Sequence, residues 1–333
     1  MKFTFLMCTE RSGSNFIVSL MNGHPEISGP PSSHLFRLFG LNAHNYFPTS
    51  NTENWRAFSE DLVVGQENML SEWETKIDVA ELDAACPNRT IREALDYTYA
   101  KEMRPGERMS FVKENYTYLV MTFLLANWPD ARFVYMVRDP RDVAASWTKT
   151  NGTIGGVKRA VRAWLNDQVA SLKYYRQIAA SGRALQIRYE DLVADTPTMA
   201  EKLCHHVGVD YDPAMLDYYK DKRTRRNASR IGAWGNIAKP VMKDNFGKYK
   251  KTLSQADIRY VELMCFEHMQ TFGYVLETDA AGLNADERQA ELVRLEGQLT
   301  KGAAQKRIPP DEQIIRDKRL ALIERVKNRI AVS

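Results

Sequence analysis

Cysteine is scarce: four residues in 333, Cys8, Cys86, Cys204 and Cys265, with no two spaced as a C-x-x-C pair. That spacing argues against a structural zinc site and against a disulfide framework. No apolar run approaches the roughly 18 residues that a membrane-spanning helix needs. Residues 1–7 reach a glycine-bearing loop too soon for a signal peptide, so a reducing, cytoplasmic location is the expectation. Charge of one sign is lacking too: 46 Lys and Arg stand against 42 Asp and Glu, a net +4. Such a balance permits a cationic pocket for an anionic ligand and gives no support for nucleic acid as a partner. Internal repeats and metal-binding clusters are likewise missing from the sequence.

What is present suits a large core, with 44% apolar and 26% charged residues. Three short apolar runs read as buried strands: Phe3–Cys8, Phe133–Val137 and Ala184–Tyr189. Within the first, Cys8 reads as a small hydrophobe. A helix follows the first strand, with Phe16, Ile17, Leu20 and Met21 on its apolar side. Residues 22–60, rich in Pro, Gly, Asn and Ser, read as irregular structure over a site mouth. Residues 56–128 read as helical, broken near Pro87 and Pro105-Gly106. Later helices are expected from Asp142, over Val157–Ile178, and over about 196–207, 213–220 and 254–272. The fold class is therefore α/β: a central parallel sheet flanked by helices, with ligands beyond the strands' carboxyl ends. Residues 278–333, rich in Ala, Glu, Arg, Lys and Gln, read as a polar helical C-terminal appendage to a domain over 1–277. That appendage is either a solvated tail packed on the body or an arm for homo-oligomerisation.

The loop Thr9-Glu10-Arg11-Ser12-Gly13-Ser14-Asn15 leaves the first strand and opens the first helix. Gly13 lets backbone approach an anion closely. The N–H groups of Ser12, Gly13, Ser14 and Asn15 can form an anion nest helped by the helix dipole. Arg11 adds a planar fork of donors suited to phosphate oxygens. A nucleotide kinase loop would need Gly where Cys8 stands and Lys where Ser14 stands, so Mg²⁺-dependent use of ATP is not supported. Alone, the loop is also compatible with a helix cap that binds nothing.

Two strings narrow this. Arg11-Ser12-Gly13-Ser14-Asn15-Phe16 resembles the 5′-phosphosulfate loop of the sulfotransferases that use 3′-phosphoadenosine 5′-phosphosulfate (PAPS). Arg138-Asp139-Pro140-Arg141-Asp142-Val143-Ala144-Ala145-Ser146 resembles that family's 3′-phosphate motif, and like it follows a buried strand. The resemblance extends over about residues 3–275 and implies the family's P-loop-like fold. It implies that Arg138 and Ser146 hold the 3′-phosphate, that Tyr189 in Arg188-Tyr189-Glu190-Asp191-Leu192 lies near the adenosine, and that Lys113 lies near the scissile bond. Asn236 and Lys248, in Asn236-Ile237-Ala238-Lys239-Pro240 and Gly247-Lys248-Tyr249, resemble the late loop that closes on the donor. Two positions depart from some relatives: Ala233-Trp234 carries no hydroxyl, and Thr150 stands where another Arg occurs.

The family resemblance implies in-line transfer of a sulfonate to an acceptor hydroxyl, with 3′,5′-adenosine bisphosphate (PAP) as product and no metal. Arg11, Lys113 and the loop amides suit the charge that develops on the departing oxygen. A base must take the acceptor's proton. Gly29-Pro30-Pro31-Ser32-Ser33-His34 resembles a Pro-Pro-x-x-His segment of certain bacterial and polyketide-associated members, which favours His34, with Glu26 and Glu114 as fallbacks. His24-Pro25 resembles a structural turn. The basic run Lys220–Arg226 reads as an exposed loop or as a contact to an anionic acceptor or the 3′-phosphate. The acceptor is expected to be a saccharide, a lipid or another small alcohol. The competing functions are a kinase-like nucleotide-binding protein and a non-catalytic nucleotide-binding scaffold.

Overall fold

A computed structural model of the chain describes residues 1–149, 155–230, 232–302 and 308–332, together with all their side chains except those of 232 and 233. Thr150 and the side chain of Ala233 therefore lie outside it, as do residues 303–307 of the C-terminal segment.

Five parallel strands form one sheet: β1 (Phe3–Cys8), β2 (Ile27–Ser28), β3 (Met109–Lys113), β4 (Arg132–Val137) and β5 (Ala184–Arg188), in the order β2-β3-β1-β4-β5. Both faces are covered, as parallel sheets require. Alternation along the strands divides the core accordingly. Phe3, Phe5 and Met7 of β1, with Phe133, Tyr135 and Val137 of β4, face one apolar layer. Leu6 and Cys8, with Val134 and Met136, face the other, beneath the helix Ser14–Asn22.

The chain leaves β1 toward β2 on one side, and leaves β4 toward β5 on the other. The strand order thus reverses between β1 and β4, which is where an open α/β sheet leaves a ligand crevice. The register brings Cys8 opposite Met136, so the loops that follow start at one level. It also pairs Val137 with Arg188, which sets Arg138 beside Tyr189. Leu6 pairs with Lys113 on the other flank.

The three strands expected from sequence are present. β3 corrects the helical reading of 56–128: Met109–Lys113 is a fully buried strand between β1 and β2, and helices occupy Thr52–Glu67, Val79–Ala85, Ile91–Lys101 and Met121–Asn127 around it. A five-residue apolar run carries too little periodicity to separate strand from helix, and pairing with β1 decides it. The segment 22–60 is also more ordered than expected. It contains the two-residue β2, a helix over Leu35–Leu41, and the start of the helix Thr52–Glu67, where the Asn51 side chain accepts from the Glu53 and Asn54 amides.

The basic run Lys220–Arg226 is not an exposed loop. Lys222–Arg230 is helical, and Arg223 is 1% exposed, paired with Glu74 and Glu102. Arg226 pairs with Glu72 and Glu74. Acids scattered over 72–102 neutralise the run, a match that sequence order conceals.

Two helices fall in the C-terminal segment, Ala285–Glu296 and Pro310–Lys327. The second lies on the helix Thr52–Glu67, with Leu322 and Val326 buried. Asp61, fully buried, forms an ion pair with Arg325 at 2.6 Å and accepts from Arg329 at 2.5 Å and the Tyr46 hydroxyl at 2.8 Å. Removing a shared carboxylate strands its partners. Asp61→Ala should therefore lower unfolding stability by about 2 kcal/mol, less than a fully buried pair because both arginines reach water. Urea denaturation measures it; a midpoint matching the wild type would remove this anchor from the account.

Candidate active site

The crevice between β1 and β4 opens into a cavity of about 660 Å³. Its floor is the N-terminus of the helix Ser14–Asn22. Among the described residues the amides of Gly13, Ser14 and Asn15 meet no protein acceptor, so three N–H groups and a positive helix end face the space. Ser12 is placed differently: its amide and hydroxyl both bond the Thr9 carbonyl, and it braces the loop without lining the cavity.

Gly13 has φ of +90°, and a Cβ there would sit 2.2 Å from Cε2 of Tyr189. That ring cannot easily yield. The Arg138 guanidinium lies 4.3 Å from its centroid, and Asn245 donates to its hydroxyl at 2.6 Å. Arg138 in turn donates to the Arg11 carbonyl at 2.9 Å and the Asn245 carbonyl at 3.1 Å. Arg11 Nε donates to Ser146 Oγ at 3.2 Å. The two motifs, 127 residues apart in sequence, are thereby one structure.

The electrostatics of this cradle are those of an anion site. Burial, followed by the charge of Arg138, holds the Arg11 guanidinium below its ordinary value. Arg11 and His34, both in the cavity wall, have φ of +67° and +61°. Such backbone is costly outside glycine and gathers where a site constrains the chain. Lys113, also lowered mainly by burial, donates to Asn15 Oδ1 at 2.7 Å.

His34 lies at the opposite end, in contact with Ser32 Oγ at 3.2 Å from Nε2, and with Nδ1 3.3 Å from Glu114 Oε2. Burial first, then the charges of Arg37 and Arg319, hold the imidazole well below its ordinary value. Burial pushes Glu114 up to about 7, against the pull of the same two arginines. Burial thus disfavours the charged form of both groups, and the Asn115 amide donates to His34 Nδ1 at 3.5 Å. Glu26 is placed elsewhere: it pairs with Arg108 and does not line the cavity. His24 is buried, bonded to the Asp210 carbonyl, in line with a structural turn.

Phe16, Asn236 and Lys248 complete the candidate residues that border the cavity. The late loop is tied down by Asp142, which accepts from the amides of Gly247 at 2.7 Å and Tyr249 at 3.0 Å.

A family model described as "Sulfotransferase family" matches residues 4–213. The chain belongs to the sulfotransferase family. This sulfotransferase is 23% identical over 156 residues to sulfotransferase 4A1 of Homo sapiens and of Mus musculus, covering 39% of this chain and 55% of theirs. It is 26% identical over 223 residues to human carbohydrate sulfotransferase 3, covering 60% and 45%. It thus spans about half the length of the curated relatives it matches. Among solved structures, the sulfotransferase domain of the Synechococcus PCC 7002 olefin synthase superposes with a TM-score of 0.57 at 21% identity, covering 83% of this chain and 96% of that one. The domain from the curacin biosynthetic pathway gives 0.53 at 18%, covering 82% and 98%. These two likenesses concern the fold.

Several side chains in the wall of the sulfotransferase cavity escaped the sequence. Asn245 follows no motif; a short polar residue before the Gly247 turn was its one signal. Asp142 sat inside a recognised string without a role of its own. Arg316 and Arg319 come from the C-terminal helix, which no motif reaches. Conversely, Arg141 of the same string turns inward, bonded to Asp139 at 2.7 Å and Glu262 at 2.6 Å.

Gly13→Ala should displace the Tyr189 ring and lower unfolding stability by about 1 kcal/mol or more, since a side chain there meets both the ring and a left-handed backbone. Urea denaturation and near-ultraviolet circular dichroism check it together; an unchanged midpoint would show that Tyr189 yields freely.

Proposed function

We propose that the protein transfers a sulfonate group from PAPS to a hydroxyl of a small acceptor such as a saccharide or lipid, releasing PAP. The observation that carries this reading is the junction of two anion cradles across the strand switch: Arg11 with the Gly13–Asn15 amides, and Arg138 with Ser146, joined through Arg11 Nε and Ser146 Oγ at 3.2 Å. A donor with phosphate groups on both the 3′ and the 5′ oxygen of its ribose fits two cradles. In this reading the first holds the 5′-phosphosulfate, with Arg11, Ser14, Asn15 and Lys113 close to the departing oxygen. The second holds the 3′-phosphate. Phe16, Tyr189 and the loop bearing Asn236 and Lys248 enclose the nucleoside. Ser12 contributes by bracing the loop. The chemistry asks for stabilised charge and an aligned acceptor, both of which cations and fixed N–H groups supply without a metal.

His34 is the proposed base. Its low proton affinity keeps it unprotonated near neutrality. Glu114 lies 3.3 Å from Nδ1, and once ionised its charge offsets the imidazolium that forms when His34 takes the acceptor's proton. The acceptor's saccharide candidates gain support from the likeness to carbohydrate sulfotransferase 3. The location proposed is cytoplasmic: all four thiols are buried and unpaired, and among the described residues no helix is long and apolar enough to cross a membrane. The C-terminal segment belongs to the same working unit and is not, in this proposal, an arm for self-association. Its exposed Ile314 and Leu320 are the scattered apolar residues of an ordinary surface.

The donor assignment is tested by calorimetry with PAP. Binding is expected for the wild type and a loss of at least about a hundredfold for Arg138→Ala, which removes a charge-assisted clamp; a folded wild type that does not bind would sink it. Turnover should rise with pH through about 7 as Glu114 ionises, and Glu114→Gln should remove that rise. His34→Ala should keep PAP affinity and lose roughly 10²–10⁴-fold in turnover. A pH profile unaltered in Glu114→Gln, or full turnover in His34→Ala, would move the base elsewhere.

A further inference from the structure

The acceptor end of the cavity is walled by the C-terminal helix Pro310–Lys327, which supplies Arg316 and Arg319. Arg319 reaches back to donate to the Ser33 carbonyl at 3.3 Å, next to His34. From the other side Arg37 donates to the Asn115 carbonyl at 3.2 Å and lies 5.3 Å from the Tyr116 ring centroid. Among the described residues no carboxylate oxygen lies within 4.0 Å of Arg37 or Arg319, although Arg316 has Glu312. The acid whose charge acts on Arg319 is Glu114, and burial pushes that carboxyl up to about 7. Arg319 is also held below its ordinary value, by burial and then by Arg37, with Arg316 adding to the effect. Partly buried guanidinium groups that crowd one another stay in place where something else offsets the repulsion. Elsewhere in the molecule the same problem is solved by carboxylates: Arg223 has Glu74 and Glu102, and Arg141 has Asp139 and Glu262. Here the cations open onto the cavity.

We propose that Arg316 and Arg319 select an acceptor that carries an anionic group, a carboxylate, phosphate or sulfate, near the hydroxyl to be sulfonated. The inference rests on the sulfotransferase reading of the same cavity. The donor's own charges have their partners in the two cradles around Arg11 and Arg138. Arg319 stands at the other end, beside the base, where the acceptor hydroxyl must lie. A guanidinium fork there would hold an oxyanion in two hydrogen bonds, and so set the distance from that anion to the hydroxyl presented to His34. The C-terminal helix is then a specificity wall, anchored at Asp61 and read at Arg319.

The test uses the full chain, loaded with PAP, and two pairs of probes that differ in charge: β-hydroxyoctanoate against its methyl ester, and phenyl β-D-glucuronide against phenyl β-D-glucoside. Titration calorimetry is expected to show the anionic member of at least one pair binding about tenfold tighter or more, the responding pair telling a fatty carrier from a saccharide. Arg319→Met, alone and with Arg316→Met, should bring that ratio to within about twofold while PAP affinity stays at the wild-type value; Arg319→Lys should keep much of it. Equal binding of charged and neutral members in both pairs overturns the proposal. So does a charge preference that survives the double substitution, or a loss of turnover in Arg319→Met with the preference intact, which would place the arginine on the transferring sulfonate. Failure of PAP to bind the wild type would overturn the donor assignment instead, and the same pairs titrated into the unloaded protein would still decide the role of the arginines.

Discussion

Two buried guanidinium groups, Arg11 and Arg138, face one another across the crevice between β1 and β4, and much of the surrounding structure holds them there. Burial first, and then the like charge of Arg138, lowers the proton affinity of Arg11. The fold resists that repulsion with donor–acceptor bonds that do not cancel the charge. Arg138 donates to carbonyls of Arg11 and Asn245, and Arg11 donates to the Ser146 hydroxyl. Its nearest acid, Asp142, lies 3.9 Å from Arg138 and gives its closer contacts to the Gly247 and Tyr249 amides. The positive potential is therefore left for a ligand.

That constraint explains the packing around it. Tyr189 must lie flat against Arg138, and the one way to bring the first loop alongside is to have no side chain at position 13. Asn245 fixes the far side of the ring and in doing so ties the late loop to the site. The parallel sheet provides the alignment: β1 and β4 end at the same level, and β5 delivers Tyr189 one residue beyond its pairing with β4.

A second balance, at the other end of the cavity, sets the acid–base behaviour. Burial moves the proton affinities of His34 and Glu114 in opposite directions, lowering the imidazole and raising the carboxyl, so each is biased toward its neutral form. The arginines around them come from two places in the chain, Arg37 near the mouth and Arg316 and Arg319 from the C-terminal helix. The proposed base and its surroundings are thus assembled by tertiary contacts, whereas the two anion cradles are built on strand ends.

The sequence alone determined the two anion cradles. Each cradle is a short contiguous string at a strand-to-helix turn, and backbone geometry at such a turn follows from local residues: a glycine before a helix, an arginine beside it, a hydroxyl two turns further on. Tyr189 and His34 were legible through the family resemblance of the short strings that carry them. Tertiary structure decided what depends on distant partners. β3 is a strand because β1 lies beside it. The basic run at 220–226 is structural because acids from 72–102 surround it. Asn245 enters the site because its loop is tied to Asp142. The helix 310–327, polar along its length and silent in sequence, becomes a wall of the cavity because Asp61, some 260 residues earlier, draws in Arg325 and Arg329 and leaves Arg319 turned toward His34.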